Sequence, residues 1–195
     1  MLLALQEAAG ADVYQHMLVQ TGLQAQYGAS LPPADLYPAL DFADVARLNL
    51  ALEEAFGARG GRSIALRAGT SFFEHGLKGV GVLRGVTTGQ FKALPTPARA
   101  EIALMGMAAV FSQYSDQTTT LHKQEKTYRL VVTHSPFAWG RVSSTPVCHL
   151  LVGAIKACLR WATDGYEFIV HEQTCRATGA GECVFIVNSQ PIGKV

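Results

Sequence analysis

The sequence predicts an α+β (or α/β) domain in which an antiparallel sheet packs against helices. Three observations lead there. The N-terminal half carries helical spacing of apolar residues, two-residue alternation begins only at Thr127–Thr133, and the chain closes on two short apolar stretches joined by a glycine-bearing loop. The 195 residues suffice for one domain with a sizeable core, and at 49% hydrophobic and 16% charged the chain is too apolar for disorder.

Taken in order, Leu5, Ala8, Ala9, Val13 and Met17 recur at helical intervals, as do Val45, Leu48, Leu52 and Phe56 ahead of a C-capping Gly57. Between these runs, "GASLPPADLYP" is a turning or extended connection, because its prolines cannot continue a helix. The stretch "GGRSIALRAGTSFFEHGLKGVG" reads as a glycine-containing helix closely packed on another backbone; neither a P-loop nor a strand-flanked dinucleotide fingerprint is present. After "LPTP", "PARAEIALMGMAAVFSQYSD" is a long helix with Ile102, Met105, Ala109 and Ser112 near one side. "TYRLVVTHSPF" alternates as a strand that puts Tyr128, Leu130, Val132 and His134 on one face. A helix is expected from Pro146, capped by Ser144 or Thr145 and ended by Gly165. Strands "YEFIVHE" and "CVFIVN" follow as a hairpin.

Sixteen basic against fifteen acidic residues, with no basic stripe, argue against nucleic-acid binding. The longest apolar runs are far short of the ~20 residues that span a bilayer, so no membrane span is expected. The start lacks the basic n-region of a secretory signal, which fits a cytoplasmic protein with reduced cysteines.

Four cysteines carry the most specific chemistry. Cys175 follows one strand, and Cys183 opens the next on the face of Phe185 and Val187. Glu172 shares the apolar face of Tyr166, Phe168 and Val170, where a bare carboxylate is costly without compensation. Cys148 lies in the first turn of the expected helix, where free N–H groups favour thiolate, while Cys158 sits deep in the apolar stripe as an inert core thiol. Cys148, Glu172, Cys175 and Cys183 would make a closed tetrahedral Cys₃Glu zinc site. His149 and His171 are rival ligands that point elsewhere, and buried thiols or a disulfide remain alternatives at this point. A Cys148 nucleophile with His134 or His149 lacks any assignable oxyanion donor or orienting acid.

The pattern Pro-Val-Cys, Glu-x-x-Cys, Gly-x-x-x-Cys-x-Phe within "SPFA…TPVCHLLVGAIKACL…GYEFIVHEQTCRATGAGECVFIV" resembles the 4-vinyl reductase domain family. That family includes ligand-sensing modules of phenol- and xylene-responsive activators and bacteriochlorophyll 4-vinyl reductase-type proteins, and it is similar in fold to TRAPP subunits. The match is clearest over residues 135–187. The resemblance divides the chain into an N-terminal helical region, 1–60, and a 4-vinyl reductase-type domain, 61–195, and it implies structural Zn²⁺ on Cys148, Glu172, Cys175 and Cys183. It also implies a pocket for a small apolar or aromatic molecule, with Phe111, Tyr114, Tyr128, His134, Phe137 and Trp139 as lining candidates; His134 would orient a polar group of the ligand. No ATPase or DNA-binding segment follows in the sequence, so a sensor would report through a separate signalling protein.

Two other functions are compatible with the same residues. One is reduction of a vinyl group on a (bacterio)chlorophyll precursor, or an accessory role that holds such a tetrapyrrole; hydride chemistry would need a cofactor for which the sequence carries no fingerprint. The other is a structural interaction module, a homodimer built on apolar, weakly charged helices.

Overall fold

The computed structural model describes residues 1–32 and 40–194; part of the "GASLPPADLYP" connection, 33–39, lies outside the described residues. Helices α1 (Leu2–Ala9) and α2 (Ala11–Gln20) divide the first helical run at Gly10, whose φ of 89° breaks the helix. A single turn, α3 (Gln24–Tyr27), precedes the long α4 (Phe42–Phe72), whose first turn is capped by Asp41 accepting from the Ala43 N–H. Gly57, read from sequence as a helix end, instead kinks α4: at φ 69° and ψ 167° it turns the axis, and the helix resumes beyond it. Residue 60, where the sequence reading divides the chain, therefore lies inside α4.

A π-turn (Phe73–Leu77), a 3₁₀ segment (Gly81–Thr87) and the short α5 (Gly89–Lys92) lead into α6 (Thr96–Tyr114). The expected apolar side of α6 is corrected by the structure. Ile102 and Met105 are 41% and 56% exposed, whereas Ala100, Ala103, Leu104, Met107, Val110 and Phe111 are buried. Bulk misleads here because the inward face is built partly from small residues, such as Ala103 and Gly106, that admit a close neighbour: a Cβ on Gly106 would stand 3.0 Å from Leu83.

Strands β1 (Thr119–Lys123), β2 (Thr127–Val132), β4 (Val170–Thr174) and β5 (Cys183–Asn188) form one antiparallel sheet in the order β1-β2-β5-β4. The edge strand β1 has no counterpart in the sequence reading. "YEFIVHE" is not one strand: β3 (Tyr166–Glu167) pairs with β6 (Gly193–Lys194) in a separate ribbon, and the chain enters the main sheet only at Val170.

Helix α7 (His149–Ala162) lies between α4, α6 and the sheet, with ten of its fourteen residues buried. It crosses α4 at two glycines. A Cβ on Gly69 would stand 1.9 Å from the Leu150 carbonyl oxygen, and one on Gly153 would stand 2.1 Å from that of Leu66. The glycine-bearing helix is therefore in backbone contact with its neighbour, as its composition implies.

The C-terminal end of α7 is closed by Arg99, which is buried: its Nε donates to the Ala162 carbonyl and its Nη2 to Asp164, each at 2.7 Å. That hydrogen bond and the Arg99 charge hold the Asp164 carboxyl below its usual range. A depressed pKa makes the pair's contribution present above the unfolded value of about 3.9 and lost as pH falls through the folded one. Asp164→Asn, which keeps a residue tolerant of the positive φ of 53° found there, should be less stable than the parent by a constant margin at neutral pH. That margin should shrink as pH drops below about 4. Thermal melts across a pH series check this; a margin that widens in acid would refute it.

Candidate metal centre and an adjoining aromatic cleft

Three of the four cysteines meet where the start of α7 approaches β4 and β5. The helix begins at His149, later than expected from sequence, and Cys148 is its N-cap residue rather than part of the first turn. The Thr145 N–H is bound by Ser143 Oγ, and the Cys148 N–H donates to Glu172 Oε2 at 2.8 Å. The chain is thus held by side chains through the positions where a proline-led first turn was expected.

Strand parity brings the other ligands to the same side. Cys183 opposes Val132 and Phe185 opposes both Leu130 and Glu172, so Glu172, Cys183 and Phe185 share the inward face. A regular strand would turn Cys175 outward. Between Glu172 and Thr174 the register slips by one residue, so that Thr174 opposes the outward Val184. That bulge reverses the parity and sends Cys175 inward to join Cys183.

The sulfurs stand 3.7 Å apart for Cys148–Cys183, 3.9 Å for Cys175–Cys183 and 4.0 Å for Cys148–Cys175. Three thiolates at about 2.3 Å from a tetrahedral ion would lie about 3.8 Å apart, whereas a disulfide needs about 2.05 Å. With a Glu172 oxygen, the four ligand atoms lie within 4.8 Å of one another. Glu172 Oε1 is buried and has no hydrogen-bond partner among the described residues, an orphan that a cation would satisfy. The cluster could hold a metal ion.

The electrostatics agree with the geometry. Burial first, then the charge at Cys175, pushes the Glu172 carboxyl up to about 8. Burial likewise holds the Cys148 thiol well above its ordinary value, while hydrogen bonds from Cys148 and Cys183 lower Cys175. A dication among these groups would favour deprotonation of all of them. Around this shell, Ser135 Oγ lies 3.2 Å from Cys148 Sγ and the Arg176 N–H donates to Cys183 Sγ at 3.3 Å. Asn49, buried in α4, donates to the carbonyls of Phe137 and Val147 and so anchors the segment leading to Cys148. No spacing rule singles out Asn49 or Ser135.

His149 and His171 stand outside the cluster. Burial, and next the Arg62 charge, keep His149 below the usual imidazole range. Cys158 is fully buried with its thiol pushed up to about 12.

Of the six sequence-named lining residues, His134 and Trp139 come together, on a cleft of about 860 Å³. Phe111, Tyr128 and Phe137 are packed in the core, where the Tyr128 hydroxyl donates to the Pro97 carbonyl; Tyr114 is half-buried beside Gly81. The cleft's other walls include Tyr27, Phe42 and Asp116, none of which was named from sequence.

No family model matches the chain, and no curated protein is similar to it in sequence. Solved structures share its fold. The phenol-responsive sensory domain of the transcription activator PoxR, solved with phenol, superposes with a TM-score of 0.57 at 14% identity, over 76% of this chain and 74% of that one. An H-NOX protein from S. oneidensis in the Fe(II)NO ligation state gives 0.60 at 12% identity over 96% and 93%. A single-site mutant of T. tengcongensis H-NOX gives 0.58 at 16% over 98% and 95%. At these identities the likeness concerns the fold, an α+β arrangement with an antiparallel sheet against helices. Among the described residues no helix is long and apolar enough to cross a membrane.

Proposed function

We propose that this chain is a small-molecule-binding sensor or carrier domain whose helix and hairpin are stapled by Zn²⁺ on Cys148, Glu172, Cys175 and Cys183. The observation that carries the zinc is the spacing of the three buried sulfurs, which suits a tetrahedral thiolate shell and is far too wide for a disulfide. Four protein ligands leave no open position, so the ion would cross-link α7 to β4 and β5 without supplying a reactive centre. The fold shared with a phenol-responsive sensory domain supports the binding role, and the cleft at His134 and Trp139 is the surface that offers it.

Elemental analysis of protein purified without chelator, with thiols counted before and after denaturation, tests the staple. About one zinc per chain is expected, as befits a single closed site, with three cysteines released only on unfolding together with Cys158. A metal-free protein with the cluster intact would overturn it. Native mass spectrometry of the same preparation tests the binding role: a small-molecule adduct is expected, and consistently bare protein under ligand-rich conditions would count against it.

A further inference from the structure

The cleft beside Trp139 has aromatic walls and a one-sided charge. Tyr27, Phe42 and Trp139 line it, and Phe42 meets Trp139 edge to face, with centroids 5.6 Å apart and planes at 77°. Two π faces thus stand nearly at right angles, forming a corner. Trp139 keeps 43% of its surface exposed, so its indole is accessible from the cleft.

Three carboxylates, Asp41, Asp44 and Asp116, line the same space with one basic side chain, His134, and among the described residues no lysine or arginine does. Their engagement differs. Asp44 is ion-paired with Arg47, and Asp41 caps α4. Asp116 is exposed and has no hydrogen bond or ion pair among the described residues. The Tyr27 phenol is raised above its ordinary value by burial first and then by the Asp44 and Asp41 charges.

The pattern discriminates between ligand classes. An anion would meet three carboxylates with only the His134 imidazole to set against them, and a wholly apolar molecule would take Asp116 from water with nothing in return. A chelated metal ion is disfavoured as well: among the described residues only the cysteine cluster gathers three or more ligand atoms around one point. An organic cation satisfies both features, because an alkylated ammonium is attracted to aromatic faces and to diffuse negative charge without needing close coordination.

We infer that this cleft binds an organic cation, its ammonium head set in the Phe42–Trp139 corner and facing Asp116. The inference rests on the reading of the chain as a small-molecule-binding domain and gives that ligand a chemical class.

Choline and its neutral carbon isostere, 3,3-dimethyl-1-butanol, are the probes. Each is titrated into the metal-replete protein by calorimetry, and into a Trp161→Phe variant whose remaining indole, Trp139, reports by fluorescence. Choline should quench Trp139 saturably and bind about tenfold more tightly than the isostere, with affinity falling as salt rises. Asp116→Asn, at an exposed side chain that holds no other residue in place, should lose several-fold in choline affinity and leave the isostere unchanged. Equal binding of the two probes would overturn the cation assignment while leaving a small-molecule site in the cleft. No response to either would also overturn it, and the native-mass adducts would then decide the broader binding role separately.

Discussion

Cys183→Ser is expected to abolish zinc binding and to lower the melting temperature by about 10 °C. Cys183 is fully buried, contacts both other cluster sulfurs and receives the Arg176 N–H, so serine leaves a short, poorly ligating hydroxyl at the centre of the shell. A ligand present at a thousandfold excess over its Kd stabilises the folded state by about 4 kcal/mol. For a domain of this size each kcal/mol moves the midpoint by about 2–4 °C. The parent protein treated with a strong chelator should melt at nearly the same temperature as the variant, because both have lost the same ion. Metal content and melting curves of parent, variant and chelated parent form the test. Unchanged melting in both altered samples would remove zinc from the account of stability.

The crossing of α4 and α7 should be at least as sensitive. Gly69→Ala places a methyl carbon 1.9 Å from the Leu150 carbonyl oxygen and 2.8 Å from the Ala154 nitrogen. Both are backbone atoms in the first half of a buried helix, so no side chain can swing aside. Relief requires the helices to separate, which strips the packing around Leu66, Leu150 and Ala154 at the crossing; a cost of more than about 3 kcal/mol is expected. Gly153→Ala, which meets the Leu66 carbonyl at 2.1 Å, should behave alike. Gly85→Ala, where an added carbon meets nothing within 4 Å, should shift the melting curve far less. Chemical denaturation of the three variants checks the order, and a mild effect at both crossing glycines would refute the close approach.

The legible parts of the fold were those in which bulk and alternation carry the information. β5 coincides with "CVFIVN" because both of its faces are apolar, and the inward residues of β2 follow from simple alternation. The sequence pattern exchanges the faces of helix α6, since small residues such as Ala100, Ala103 and Gly106 make part of its buried contacts beside Leu104 and Met107, and a hydrophobicity pattern gives them little weight. β1 was missed because Thr, His and Lys on an edge strand resemble a loop. The ligand residues were legible as residue types and as relatives of a known pattern. Their convergence was expected too, but not the means of it: Cys175 faces inward only through a one-residue slip that no local motif announces. The cleft was legible only in part: Tyr27, Phe42, Asp116 and Trp139 are far apart in sequence and meet through tertiary packing alone.

The same slip in β4 would make a bound metal a judge of folding. A hairpin formed without that bulge would keep Val170–Glu172 in register against β5 and lose only the inward turn beyond them, so hydrophobicity distinguishes the two pairings weakly. It would, however, point Cys175 away from Cys148 and Cys183, and an ion captured by all three sulfurs would reject that misaligned hairpin. Supply of the ion during synthesis would then act as proofreading, raising the fraction of chains that reach the correct pairing as well as the stability of those that do.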